Sequence, residues 1–201
     1  MTVFSRLWLW GAISWERDAA LVEPVIQQVR AAAQPGQPIL FAVDGFKAYV
    51  TCILKVFRDP VRTGKRGRPR LIVWTDLHIV QVVKQRLGRR LVSISRRLAH
   101  GSRARAEDLM QMTQVTVGRI NTAYIERLNA TLRTSLPALV RRTRTPSGTH
   151  ARLEAALFWT GCVYNFCDVH ATLAGTPAMA ADLTDHVWSI DELIRYRCQR
   201  E

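Results

Sequence analysis

A short apolar run that ends in an acid and a glycine, PILFAVDG at residues 38–45, constrains the fold of this chain more than any other feature. A continuous apolar run of this length, bounded by turn residues, is typical of a strand buried in a parallel sheet. Helix-forming segments flank it: ERDAALVEPVIQQVRAAA (16–33) precedes it, and FKAYVTCILKVF (46–57) follows. Alternating strand and helix predict an α/β fold with right-handed crossovers.

Periodicity predicts the elements around this strand. LWLWGAISW (7–15) is apolar and aromatic, which predicts a buried strand before the first helix. Leu21, Val25 and Val29 recur at a spacing of four and predict the buried face of that helix, with Pro24 marking a kink or a late start.

The second half of the chain contains further predicted elements. LIVWTDLHIVQVV (71–83) and LVSIS (91–95) predict strands that are antiparallel across the turn RLGRR (86–90). NTAYIERLNATLR (121–133) and ARLEAALFWTGCVYNFC (151–167) have the spacing and composition of helices.

The positive charge is concentrated in one part of the chain. Lys and Arg number 29 against 16 Asp and Glu, a net charge of +13. Residues 61–106 contain thirteen of these cations and a single acid, Asp76. Solvated surfaces usually mix both signs, so the one-signed segment favours a polyanionic partner, most simply nucleic acid, over a solubilising surface.

Two basic loops are the predicted DNA contacts. KRGRPR (65–70) resembles the core of an AT-hook, in which Arg-Gly-Arg-Pro lies along a narrow minor groove, but general phosphate contact is the favoured interpretation. RRTRTPSGTH (141–150) is the second loop. The predicted contact residues in the two loops are Lys65, Arg66, Arg68, Arg70, Arg141 and Arg142.

Several protein classes are not indicated by the sequence. No apolar run approaches the roughly 20 residues of a membrane span, and the N-terminus does not resemble a signal peptide, so we expect a cytoplasmic, nucleoid-associated protein. The cysteines lack metal-binding spacing and are expected to be reduced, buried thiols: Cys52, Cys162, Cys167 and Cys198. We interpret His78, beside Asp76, and His170 as structural.

One acid stands alone on the helix predicted at 121–133. Four apolar residues at spacings of 3, 4 and 4 form its core-facing stripe: Ile125, Leu128, Leu132 and Leu136. Glu126, Asn129 and Arg133 line an adjoining stripe about 100° around the helix. Spacing alone favours a surface acid in a helical ion pair worth about 0.3 kcal/mol.

A second acid, Asp44, changes that interpretation. It lies at the carboxyl end of the predicted strand, where α/β sheets place their chemistry, although an Asp before Gly45 also suits a turn. Asp44 and Glu126 together have the donors for a phosphoryl-transfer site, since Mg²⁺ binds one or two carboxylates plus substrate phosphates. In such sites two ions about 4 Å apart stabilise the attacking and leaving oxygens.

Two motifs identify a family that this chain resembles. FAVDGFKAY (41–49), followed by NTAYIERLNATLR, resembles the DDE transposases of bacterial insertion sequences in their integrase-like catalytic domain, and YNFCDVHATLAGTPAMAA (164–181) is similar to their tail. The resemblance implies an RNase H-like fold, a mixed sheet flanked by helices. It matches Asp44 to the second catalytic Asp, Glu126 to the catalytic Glu, and Arg133 to a basic residue that contacts DNA.

The same resemblance implies a function. The family catalyses DNA transposition by phosphodiester cleavage and strand transfer, with Mg²⁺ or Mn²⁺ as the cofactor. The implied partners are double-stranded DNA, both element ends and target, and further copies of the chain in an oligomer on DNA. Two alternatives stay open: a non-catalytic DNA-binding derivative that regulates or oligomerises with a full-length transposase, and an unrelated nucleic-acid-binding protein.

The chain departs from the family at its start. The family's first catalytic Asp lies on the first strand, whereas here the upstream acids Glu16, Asp18 and Glu23 follow the predicted strand, and Asp18 suits a helix N-cap. We expect the chain to begin inside the domain, as a truncated copy that lacks the first strand and its Asp. Such a chain would show no Mg²⁺-dependent strand transfer by itself.

This expectation gives the predicted domain organisation. Residues 1–140 are a partial RNase H-like catalytic domain that contains a basic insertion at 58–106. Residues 141–201 are a helical C-terminal extension packed on the same domain.

Overall fold

The structure, a computed structural model, describes residues 1–62, 64, 66–88, 90–112, 122–140 and 148–196. Within them the helices are α1 (Ala19–Ala31), α2 (Lys47–Val56), α3 (Arg103–Met112), α4 (Ala123–Ser135), α5 (His150–Phe166) and α6 (Ile190–Arg195). The strands are β1 (Ile39–Asp44), β2 (Arg58–Val61), β3 (Arg70–Val73), β4 (Leu77–Leu87) and β5 (Arg90–His100). Short 3-10 helices span Pro137–Leu139 and Met179–Ala181.

The chain forms two compact units. We call Ser14–Thr122 the sheet unit, and Met1–Ile13 together with Ala123–Glu201 the helical unit. The predicted boundary after residue 140 stays a prediction. The segment 58–106, predicted as a basic insertion, contains β2 to β5.

The sheet unit confirms the α/β class and a mixed sheet. Its three-stranded sheet has the order β1-β4-β5, with β1 parallel to β4 and β5 antiparallel to β4. The predicted antiparallel pair across the turn at 86–90 is therefore confirmed, but the strand predicted at 71–83 is divided: its first three residues belong to β3, and β4 begins at Leu77. β2 and β3 form a separate antiparallel pair.

Helices cover both faces of the three-stranded sheet. Leu77 and Ile79 of β4 are buried against Val22 of α1 and Ile53 of α2. Successive side chains of a strand alternate between faces, so His78 lies on the opposite face, where its ring accepts a hydrogen bond from the backbone N–H that precedes α3. α3 packs against β1 and β4 there.

The helix predicted before β1 is confirmed, but two of the three residues predicted for its buried face are wrong. Val22 and Ile26 are buried and Val29 packs against the core, whereas the predicted Leu21 and Val25 are only half-buried. Val22, Ile26 and Val29 also recur at helical spacings, four and three, so the sequence pattern fits two faces about 100° apart. Contact with the sheet decides between them.

The strand predicted at 7–15 is wrong, since these residues have no regular secondary structure. Trp8 is buried in the helical unit, where its backbone N–H donates to Asn165 Oδ1 and its C=O accepts from Asn165 Nδ2, both at 2.8 Å. One side-chain amide therefore makes the hydrogen bonds that a neighbouring strand would make. The indole packs on Gly161 of α5, where an added Cβ would lie 2.1 Å from it.

The helical unit confirms the apolar stripe of α4. Leu128, Leu132 and Leu136 are buried in a core that includes Trp8 and Leu157. Ile125, the fourth predicted member, packs at the edge of this core.

The structure also bears on the predicted thiols and membrane spans. Within the described part of the chain Cys52, Cys162 and Cys167 are in no disulfide, and Cys198 lies outside that part. Cys52 is buried, as predicted, whereas Cys162 and Cys167 are only half-buried. Among the described helices, none combines the length and the apolar character needed to cross a bilayer.

Candidate functional site

Asp44 ends β1 at its carboxyl end and is held on both carboxylate oxygens. Oδ1 accepts the backbone N–H of Phe46 at 2.9 Å, and Oδ2 forms an ion pair with Arg17. The Arg17 guanidinium also stacks over the Phe46 ring, 4.7 Å from its centroid. The hydrogen bond to Asp44 raises the pKa of Arg17 above its ordinary value.

Both interpretations of Asp44 are compatible with this geometry. The hydrogen bond from Phe46 confirms that Asp44 forms the turn into α2. Its side chain is nevertheless 46% exposed, and one oxygen already faces a cation. The turn therefore orients the carboxylate, and a positively charged ligand can reach it by displacing Arg17.

Glu126 lies in the first turn of α4, within the helical unit. It is exposed, as are Asn129 and Arg133, which confirms the polar stripe beside the buried leucines. A carboxylate in the first turn is favoured by the helix dipole, and an arginine in the last turn likewise. Asp44 and Glu126 thus belong to two different compact units.

The donor chemistry of these two acids suits a hard divalent cation. Carboxylate oxygens are the ligands that Mg²⁺ prefers, and the ion usually keeps several waters and binds substrate phosphates as well. The half-exposed Asp44 and the exposed Glu126 leave room for such ligands. Within the described part of the chain, no group of three His, Cys, Asp or Glu residues is arranged to hold a metal.

The first basic loop is the turn of the β2–β3 hairpin. Arg66, Arg68 and Arg70 are exposed there. Gly67 has φ +126°, a backbone conformation that other residues rarely adopt, so it is required for this turn. Lys65, Arg141 and Arg142, the remaining predicted DNA contacts, lie outside the described residues.

The base of this hairpin is fixed to the core. Trp74 Nε1 donates to Asp59 Oδ2 at 2.7 Å, and Arg30 forms an ion pair with the same carboxylate. The Trp74 ring meets Phe57 edge-on at 5.0 Å, and Phe57 is fully buried. The hairpin that carries these arginines is therefore anchored to the buried core at its base.

His78 is structural, as predicted. It is buried, its Nε2 lies 2.7 Å from Asp76 Oδ1, and its Nδ1 accepts the Ser102 N–H at 3.1 Å. Arg105 also binds Asp76, with its Nη2 2.9 Å from Oδ2. The hydrogen bond from Arg105, and to a lesser extent that from His78, lowers the pKa of Asp76. Sequence reasoning missed Arg105, because it is one of many arginines in a basic segment.

His170 also packs as a structural residue, through an aromatic contact. Its ring meets Tyr164 edge-on at 4.7 Å. Its buried Nε2 has no hydrogen-bond partner among the described residues. Burial, and then the charge of Arg6, lower the pKa of His170.

Comparison of the chain with protein-family models, curated proteins and solved structures finds no match. The function is therefore argued from the residues and their placement.

Proposed function

We propose that this chain acts on double-stranded DNA as a DDE-type transposase, with Asp44 and Glu126 as catalytic carboxylates that hold Mg²⁺ or Mn²⁺. The observation that carries the proposal is the setting of Asp44. It ends a strand packed between helices, one oxygen is fixed by a backbone N–H, and the other faces a cation. The carboxyl ends of parallel strands are where open α/β sheets bind ligands.

The distribution of charge supports DNA as the substrate. The basic segment 61–106 belongs to the sheet unit, as does Asp44. It supplies the β2–β3 turn and the β4–β5 hairpin, both rich in arginine. The β4–β5 hairpin continues past Val82, the pairing partner of Asp44, and its cations let a polyanion approach a carboxylate that would otherwise repel it.

In this proposal each residue has a distinct role. Asp44 and Glu126 provide the oxygen ligands, and Arg133 contacts a DNA phosphate from the last turn of α4. Bound Mg²⁺ would neutralise charge on the phosphodiester and activate the attacking oxygen. A water oxygen bonds to phosphorus as the P–O3′ bond breaks, which releases a 3′-hydroxyl and leaves a 5′-phosphate. That 3′-hydroxyl then bonds to the phosphorus of a second phosphodiester, whose own P–O3′ bond breaks and releases a 3′-hydroxyl of the target strand. The resemblance also supports an oligomer on DNA.

The ion pair of Asp44 favours a second candidate, a non-catalytic DNA-binding derivative. Arg17 binds the oxygen that a metal would need, and the described residues contain no three-residue metal group. A chain in which Arg17 holds Asp44 permanently would bind DNA without cutting it.

Calorimetric titration with Mg²⁺ tests the proposal, with Asp44→Asn and Asp59→Asn as a matched pair. Asp59 is the control because it is also paired with an arginine and its side chain is equally exposed, 46%. We expect Asp44→Asn to abolish Mg²⁺ binding and Asp59→Asn to retain it. An identical titration in wild type and Asp44→Asn would contradict the metal assignment.

DNA assays then separate the two candidates. Mg²⁺-dependent joining of donor DNA that Asp44→Asn abolishes would establish the transposase. DNA binding without Mg²⁺ binding or joining would establish the derivative.

A further inference from the structure

The β4–β5 hairpin continues well past the rest of its sheet. The pairing of β1 with β4 ends at Asp44 and Val82, but β4 and β5 stay paired as far as Leu87 and Arg90. The five residues after Val82 extend this two-stranded ribbon by about 16 Å at roughly 3.3 Å per residue. The ribbon therefore projects from the edge of the sheet at which Asp44 lies.

The projecting ribbon is exposed, and its charged side chains are all positive. Residues 77–100 contain six Lys or Arg and no acid. Leu87 is 79% exposed and Val92 61% exposed, so packing does not account for this part of the hairpin. Arg86, Arg90 and Arg97 form no ion pair with any described residue.

The pairing register places the charges on a particular face. Directly paired residues share a face, so the face that carries Asp44 and Val82 continues along the ribbon. Its further members, three of them cationic, are Lys84, Arg86, Leu91, Ile94 and Arg96. The register shift after Gln85 leaves the alternation of β4 intact, because the extra residue, Val92, is in β5.

We propose that this ribbon lies in the major groove of duplex DNA, with the Lys84 and Arg86 face toward the DNA, and so holds the duplex beside Asp44. The inference rests on the proposed function and adds the element that binds the substrate. A two-stranded ribbon, with strands about 4.8 Å apart, fits an undistorted major groove about 12 Å wide, whereas a minor groove of about 6 Å admits it only when the DNA is deformed. A-form RNA, whose major groove is narrow, does not admit it.

The positive charge of β5 argues against a second copy of the chain as the partner that binds the ribbon. β5 is an edge strand, and another strand could pair with it. A second β5 would bring more arginine and no acid to the pairing, since Arg90, Arg96 and Arg97 are the charged residues of this strand, and like charges opposite each other destabilise strand pairing. A polyanion relieves the same repulsion.

Salt-dependent DNA binding by fluorescence anisotropy tests this inference. Arg86→Gln should lower the slope of log Kobs against log [salt] by about 0.9, and Lys84→Gln with Arg86→Gln by about 1.8. The matched control, Arg152→Gln with Arg195→Gln, removes the same charge from exposed helical arginines outside the segment 61–106 and should leave the slope near wild type. Unchanged far-UV circular dichroism verifies the fold of each variant.

The groove is tested with modified DNA. Bulky glucosyl groups on 5-hydroxymethylcytosine, which fill the major groove, should weaken binding at least tenfold, and a minor-groove ligand should not compete. The inference is overturned if the ribbon variants keep the wild-type slope, or if only the minor-groove ligand competes. If the inference about the ribbon fails in one of these ways but the wild-type chain still binds duplex DNA, the proposed function is unaffected. A wild-type chain that binds no duplex DNA overturns the inference and the proposed function together.

Discussion

Gly161→Ala tests the docking of the N-terminal segment on α5, the feature on which the sequence and the structure disagree most. An alanine Cβ at position 161 would lie 2.1 Å from Trp8 Cε3 and Cζ3. The indole has little freedom to move, because Trp8 is 6% exposed and Asn165 holds both of its backbone groups. We therefore expect the substitution to expel the indole.

Opposing terms set the size of the effect. Loss of a docked tryptophan costs about 3–5 kcal/mol, while replacing glycine by alanine inside a helix contributes about 1 kcal/mol. The expected net destabilisation is about 2–4 kcal/mol. At roughly 2–4 °C per kcal/mol for a chain of this size, Tm should fall by roughly 4–16 °C.

The assay is thermal unfolding followed by far-UV circular dichroism and tryptophan fluorescence, with Gly175→Ala as the control. A Cβ at position 175 would first meet the Met179 sulfur at 3.4 Å, the flexible end of a side chain, so we expect a change within about 0.5 kcal/mol. In a double variant, Trp8→Leu should make Gly161→Ala much less costly than it is alone. A Gly161→Ala protein as stable as wild type would refute the docking.

Two further predictions concern charge. Arg17→Gln removes the cation that competes with Mg²⁺ for Asp44. Because an exposed ion pair is worth up to about 1 kcal/mol, the affinity for Mg²⁺ measured by calorimetry should rise by up to about fivefold. A lower affinity in the variant would contradict this expectation. Hydrogen bonds to Asp185 and then Glu192 raise the pKa of His186 above 6.5 in the folded state. The protonated His186 therefore stabilises the fold fully below pH 6.5, and this stabilisation is lost as the pH rises through the pKa of the folded state. NMR titration should place the pKa of His186 above 6.5, and urea unfolding should show His186→Gln to be more harmful at pH 5.5 than at pH 8.5; a normal pKa would exclude the pairing.

The elements that depend on local pattern were predictable from the sequence. The continuous apolar run predicted β1, and strict helical spacing predicted the buried leucines of α4. Asp18 was predicted as a helix N-cap, and its Oδ1 accepts the Leu21 N–H at 3.0 Å. In each case, residues close in sequence determine the structure.

Features set by distant residues were not predictable. The segment at 7–15 has the composition of a strand, but Asn165, more than 150 positions away, satisfies the Trp8 backbone instead. Likewise, the ion pair of Arg17 with Asp44 joins two residues that are 27 positions apart in the chain. The RNase H-like assignment stays a proposal, since three mixed strands with helices on both faces fit the α/β class as a whole.

The most direct test of the central claim, that Asp44 and Glu126 hold a catalytic cation, is Mn²⁺ binding to the protein–DNA complex measured by electron paramagnetic resonance. If both carboxylates bind the same ion, Asp44→Asn and Glu126→Gln should each reduce the bound Mn²⁺, and the double variant should lose little more than either single variant. Bound Mn²⁺ that is unchanged in both single variants would contradict the claim.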